Sequence, residues 1–264
     1  MPENRKHLPE KNTSPLAKLL AELIRQRGSM TVAEYMAQAL GHPEYGYYMT
    51  HNPFGVSGDF TTAPEVSQMF GEMIGAWIVD LWQQMGEPAH VNLVEMGPGR
   101  GTLMADVLRI LAKWSPCRAT MNIHLVETSL RLRELQHAAL AGNVVQWHTH
   151  FSEVTQGPCI VIANEFFDAL PVRQFERTNG AWQERGVGYD AQKNTFYYTF
   201  LDNAVSLDLP SALEGSIFET SPASHVILTE IAERISAEGG AALIIDYGAA
   251  QSGFGDTVQA VAKH

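Results

Sequence analysis

Apolar residues recur along this chain with two distinct periods, and the alternation between them predicts an α/β protein. Between residues 91 and 165, mostly apolar runs at 91–95, 122–127, 143–148 and 159–165 read as strands. Stretches of helical spacing at about 101–113 and 129–141 separate the first three, the second closed by Gly142. Strand–helix–strand units of this size build a parallel sheet with helices on both faces. A helix at about 223–238, followed by Gly239 and Gly240, leads to a fifth strand in "AALIIDYG". Upstream, Ser14, Pro15 and Gly28 bracket a capped helix, and Thr31 with Glu34 forms a capping-box pattern for a second helix ending near Gly41. Thr62 and Glu65 repeat that logic and open a long helix through Met69, Met73, Ile74, Trp77, Ile78 and Leu81. Residues 172–222 break the rhythm. There Asn179-Gly180 marks a hairpin turn between alternating stretches, and "TFYYTFL" adds a third strand, so a β-rich insertion is expected between the fourth and fifth strands.

These elements predict a flexible tail at 1–13, a helical and loop region at 14–90, and a Rossmann-like cofactor-binding domain at 91–264 that carries the 172–222 insertion. At 264 residues and 45% hydrophobic, the chain can bury a sizeable core. Its formal charge of −11 argues against nucleic acid, which calls for a basic stripe. Cys117 and Cys159 offer neither a disulfide framework nor a zinc pattern, so the expected compartment is reducing and cytoplasm-like. No apolar run approaches the roughly 18 residues of a membrane span, and the polar N-terminus lacks the apolar core of a secretory signal.

The candidate chemistry sits in "VNLVEMGPGRGTL", where a strand runs into Glu95 and then Gly97, Gly99 and Gly101. A glycine-rich turn between strand and helix bares backbone to a nucleotide-like ligand. The spacing departs from the G-x-G-x-x-G of dinucleotide sites, and an acid at 95 suits a pyrophosphate poorly. S-adenosyl-L-methionine fits better: Glu95 meets its ammonium, the helix N-terminus its carboxylate, and Glu127 its ribose hydroxyls. In open α/β sheets the ligand lies at the carboxyl ends of the strands, which here carry Glu95, Glu127, Asn164, Glu165 and Asp246. No metal site is expected: His148 and His150 of "HTH" would share a strand face, but further ligands at suitable spacing are missing. Tyr45, Tyr47 and Tyr48 fit either a ligand cleft or loop packing.

"GHPEYGYY", "GDFTTAPEVSQMFGEMIGAW", "EMGPGRGTLMADVLR", "HLVET", "ANEFFDALPVRQF" and "GGAALIIDYG" together resemble the MidA-like class I methyltransferases, which include a mitochondrial complex I assembly factor. The resemblance runs from about residue 15 to the end. It implies a Rossmann-like methyltransferase sheet and S-adenosyl-L-methionine-dependent methylation of a protein arginine, on a subunit of respiratory complex I. It also implies a mitochondrial matrix location for a eukaryotic source. Carried across, Glu95, Gly97, Gly99 and Gly101 match the cofactor loop and Glu127 the ribose acid. Asp59, Thr61, Thr62 and Glu65 match a cofactor-side or lid element, and "NEFFDALP" the acceptor loop. There Asn164, Glu165 and Asp168 are the candidate catalytic residues, the two acids holding the guanidinium with Asp59 or Glu65 beside them. Local readings compete: Glu65 as half of a capping box, Asp168 as a turn cap. The family continues into a final antiparallel strand pair that this sequence lacks. Two other functions remain open, a non-catalytic S-adenosyl-L-methionine-binding assembly protein and, less favoured by the glycine spacing, an NAD-dependent oxidoreductase.

Overall fold

A computed structural model describes residues 14–50, 62–202, 205, 207–248 and 251–260. In chain order the elements are α1 (Pro15–Arg27), β1 (Met30–Thr31), α2 (Val32–Gly41), α3 (Tyr47–Thr50), α4 (Ala63–Val66), α5 (Gln68–Gln84), β2 (Val91–Met96), α6 (Thr102–Leu111), α7 (Ser115–Thr120) and β3 (Met121–Val126). There follow α8 (Leu130–Ala139), β4 (Val145–His148), β5 (Cys159–Asn164), β6 (Arg173–Thr178), β7 (Ala181–Asp190), β8 (Thr195–Phe200), β9 (Ile217–Thr220), α9 (Pro222–Glu238) and β10 (Gly240–Ile245). They fall into two compact units: Met1–Thr50, Leu170–Ala223 and Ala249–Ala260 form one, and His51–Ala169, Ser224–Gly248 and Val261–His264 the other.

The second unit is built on a parallel five-stranded sheet in the order β10-β5-β2-β3-β4. The chain starts in the middle at β2, steps outward through β3 and β4, then returns to the other side of β2 with β5. That reversal is the switch point where open α/β sheets bind ligands. Every residue of β2 is buried, as expected for a central strand covered on both faces. On one face Val91, Leu93, Ile123, Leu125, Ile160 and Ile162 pack with Ile74, Ile78 and Trp82 of α5 and Met104, Val107 and Leu111 of α6. On the other, Val94, Met96, Val126, Val161 and Ala163 pack with Phe151, Val154 and Ile231 of α9. This is the expected Rossmann-like sheet, and β10 forms one of its edges.

The first unit holds an antiparallel sheet, β1-β7-β6-β9, with β8 also on β7. It contains the β-rich insertion, joined by α1 and α2 and by β1, whose Met30 and Thr31 pair with Val187 and Gly186. Asn179 and Gly180, both left-handed (φ 52° and 75°), make the anticipated two-residue turn between β6 and β7. α1 is capped as read: Ser14 Oγ accepts from Ala17 N–H at 3.1 Å and Gly28 takes φ 86°. Thr31 and Glu34 close a capping box at the start of α2.

Two local expectations fail. The helix opened by Thr62 lasts one turn; Ser67 breaks it with extended backbone and caps α5 anew. Thr62 makes no side-chain cap, Glu65 N–H donating instead to the Thr62 backbone O at 2.9 Å, and the other half of the box is missing because Glu65 Oε1 accepts from Thr102 Oγ1 at 2.6 Å. "HTH" does not put two histidines on one strand face either, since β4 stops at His148 and His150 precedes a 3₁₀ turn. His148 Nε2 lies 2.9 Å from Nδ1 of the fully buried His124, whose Nε2 is 3.2 Å from Asn92 Oδ1, a polar row across three neighbouring strands. Tyr45 stacks on His42, and Tyr47 meets Tyr48 edge to face.

Candidate functional site

The strand-to-helix turn after β2 is made by three glycines at positive φ, Gly97 (59°), Gly99 (52°) and Gly101 (83°). Gly97 is doubly required, since a Cβ there would lie 2.6 Å from the Phe166 ring. The turn is held from both flanks. Gly97 N–H donates to Val126 O at 3.0 Å and Gly101 N–H to Pro98 O at 2.8 Å. From α8, the fully buried Gln136 donates to Gly99 O at 2.7 Å and to Glu127 Oε2 at 3.3 Å, while its own Oε1 accepts from Trp147 Nε1 at 2.9 Å. From α4, Glu65 accepts from Thr102 and pairs with Arg100 at 3.6 Å.

The turn borders an open cleft of about 400 Å³ at the carboxyl ends of β2 and β5. Of the residues singled out from the sequence, Thr62, Glu95, Gly97, Gly99, Asn164 and Glu165 line it together, with Glu65 and Arg100 beside them. Gly101 begins α6 rather than lining the cleft, and Glu127 connects to the turn through Gln136. Asp168 occupies a 3₁₀ turn, Phe167–Ala169, after Glu165. Asp59 and Thr61 lie outside the described residues.

Glu95 is the electrostatic centre of the cleft. It is 3% exposed, and its Oε2 has no hydrogen-bond partner among the described residues. Burial pushes its carboxyl up to about 8, opposed only by a bond from the Met104 backbone. Asn164 Oδ1 is likewise buried and unpartnered. Glu165 holds a left-handed backbone (φ 48°), uncommon for a residue with a side chain and a mark of local strain. Burial, then the charge of Asp168, raises its carboxyl above the usual range, while bonds from Ala63 N–H and the Asn164 side chain pull the other way. Asp168 is raised by burial and by Asp246. Glu127, buried at the end of β3, accepts from Ser129 N–H at 2.8 Å, and desolvation leaves it raised. Arg133 donates to the backbone carbonyls of Glu127 and, at 2.8 Å, of His148, fixing the strand ends around that acid.

Gln136 and Arg133 went unnoticed as site residues, whereas Glu65 was placed beside the site by the resemblance but without its bond to Thr102. A signal for Gln136 exists: Leu132, Gln136 and Leu140 fall four apart on the buried side of α8 and its C-cap, and an amide there must find polar partners. Arg133 carries no such signal, since its partners are mostly backbone atoms.

The arrangement suits S-adenosyl-L-methionine. A buried acid with one oxygen unpartnered seeks a donor or cation, and backbone bared at Gly97 and Gly99 admits a ligand close to the start of α6. Residues 73–264 match the family described as "Putative S-adenosyl-L-methionine-dependent methyltransferase". The chain is 39% identical to the Drosophila melanogaster protein arginine methyltransferase NDUFAF7 homolog, mitochondrial, over 90% of this chain and 61% of that one. It is 34% identical to the Homo sapiens protein arginine methyltransferase NDUFAF7, mitochondrial, over 90% of this chain and 60% of that one. The chain thus spans about three fifths of the length of these relatives. Their names place them in mitochondria and lend no support to a cytoplasmic location. A crystal structure of a COG1565 superfamily member from Burkholderia thailandensis, bound to S-adenosyl-homocysteine, superposes with a TM-score of 0.70 at 27% identity, over 86% of this chain and 62% of that one. With the sheet order, the glycine turn and a match over residues 73–264, the chain belongs to this family of S-adenosyl-L-methionine-dependent methyltransferases.

Proposed function

We propose that the chain is an S-adenosyl-L-methionine-dependent protein methyltransferase directed at arginine, with a subunit of respiratory complex I as its acceptor and, for a eukaryotic source, the mitochondrial matrix as its compartment. The observation that carries the reading is the buried carboxyl of Glu95, whose unpartnered Oε2 lies at a cleft walled by glycine backbone. When bound, the cofactor supplies an electrophilic methyl group on a sulfonium. The chain's own residues bind and orient. Glu95 takes the ammonium, the turn at Gly97, Gly99 and Gly101 receives the rest of the amino-acid end with Thr62 on the facing wall, and Glu127 receives the ribose hydroxyls.

Methyl transfer to nitrogen is an in-line displacement, so positioning and electrostatics supply most of the acceleration. An arginine acceptor stays cationic at pH 7 and must approach a sulfonium of like charge. Glu165 and Asp168 counter that repulsion and fix the planar guanidinium, while Asn164 orients Glu165 through its side-chain bond. The names of the two relatives support the arginine assignment.

Calorimetric titration of the purified chain with S-adenosyl-L-methionine and, separately, NAD tests the reading. Micromolar binding of the former alone is expected, weakened about tenfold in Glu127→Gln by loss of a charged hydrogen bond of roughly 1.5 kcal/mol. A folded chain that binds NAD and ignores S-adenosyl-L-methionine would overturn it.

A further inference from the structure

The acidic rim of the cleft extends past the residues of the acceptor loop. β10 and β5 are parallel and in register, with Ile245 opposite Asn164, so the residues that follow them, Asp246 and Glu165, emerge side by side. Glu165 N–H donates to Ile245 O at 2.8 Å. Asp246 spends one oxygen on its own loop, accepting from Tyr247 N–H at 2.8 Å, and the other on the neighbouring loop, accepting from Asp168 N–H at 3.1 Å. The turn that carries Asp168 is thereby tied to the end of β10. No described cation forms a salt bridge with Glu165, Asp168 or Asp246. Arg100, the base lining the cleft, is turned to Glu65. Three like charges at one strand end destabilise the free protein unless a cation joins them. A second observation points to a ligand here: in the cleft that Glu165 lines, the buried Oδ1 of the adjoining Asn164 has no hydrogen-bond partner among the described residues, while the Glu95 oxygen is given to the cofactor.

We propose that Asp246 is a positioning residue of the acceptor site, which holds the Asp168 turn in place and completes, with Glu165 and Asp168, a three-sided anionic seat for a cationic side chain. The inference rests on the methyltransferase reading for the identity of the occupant. The seat itself is a statement about three carboxylates. Asp246→Asn removes the negative charge and keeps one amide oxygen to accept the Asp168 N–H, giving up only the bond from Tyr247 N–H within its own loop. The titratable groups that share the cleft with Glu165 are Glu65, Glu95 and Arg100, and the variant alters none of them.

The test follows the carboxyl carbons of Glu165 and Asp168 by NMR across pH in the full chain and in Asp246→Asn, with calorimetry of S-adenosyl-L-methionine alongside. Both acids are expected to titrate lower in the variant, because the charge of Asp246 raises them in the parent. With S-adenosyl-homocysteine present, Nα-acetyl-L-arginine amide is expected to bind about threefold more weakly to the variant, and its neutral citrulline counterpart equally to both. Unchanged titration in a folded variant overturns the proposal, whatever the acceptor. Should the variant fail to fold, the parent decides: coupled carboxylates titrate in broadened, multi-step curves, and single-site curves for Glu165 and Asp168 overturn it. Loss of cofactor binding in the parent would instead sink the methyltransferase reading and leave the titration result standing.

Discussion

Glu95 has more than one consequence for solution behaviour. In the unfolded chain it ionises near 4.5; in the folded protein burial holds its proton to about 8. The folded state therefore binds more protons across that window, and this group's contribution to stability falls as pH rises from 4.5 to 8. Glu95→Gln removes the liability, so at pH 8 the variant is expected to unfold roughly 2 kcal/mol later in urea melts than the parent. Cofactor binding runs against the same effect. An ammonium beside Glu95 favours the carboxylate, so at pH 7 binding is expected to release about one more proton from the parent than from Glu95→Gln. Titrations in two buffers of different ionisation enthalpy measure that difference. Glu95 was legible in the sequence because an acid directly before a glycine turn has few structural uses. For Gln136 only the burial was legible; its three partners, Gly99, Glu127 and Trp147, come from three different parts of the chain.

At the scale of elements, the cofactor turn depends on how closely α5 approaches α6. Gly71 and Gly75 face that contact, and a Cβ on Gly71 would sit 2.5 Å from Asp106 Cβ, one on Gly75 2.9 Å from Ile110 Cβ. Neither neighbour is a flexible tip. Gly71→Ala is therefore expected to lower stability by about 2 kcal/mol in urea denaturation, despite the gain of roughly 1 kcal/mol that alanine brings to a helix. Because α6 starts at the turn, affinity for S-adenosyl-L-methionine is expected to fall with it. The sequence announced α5 by its apolar period but not the close packing, which depends on what the facing helix presents. The failed capping box at Thr62 has the same origin: a local rule yielded to a long-range bond, Glu65 to Thr102. The capping boxes and caps that held, at Ser14 and Thr31, have partners within three residues.

For the molecule as a whole, the buried row Asn92–His124–His148 sets an acid limit. Burial, then the neighbouring His148, lowers His124 to about 4 from an unfolded value of 6.5. Between those values the unfolded chain binds more protons, so stability is full above 6.5 and lost as pH falls towards 4, by about 3 kcal/mol. His124→Asn is expected to flatten that stretch of a stability–pH curve measured by urea melts at constant ionic strength. The parallel sheet was readable because its strands and helices each carry a period. The association of residues 14–50 with 170–223 was not: it includes a two-residue strand, β1, and two residues have no period.

The register of β10 on β5 also fixes an order of events during synthesis. Gly240 finds its partner in Cys159, and Ile245 in Asn164, only after the whole insertion has left the ribosome. The four strands from Val91 to Asn164, with the glycine turn and Glu127, are contiguous in the chain and can assemble earlier, since closing short loops precedes closing long ones. A growing chain of this sequence can thus close the glycine turn first, and Asp246 meets the Asp168 turn only after the insertion, followed by Asp256 on Gln174 and Arg185.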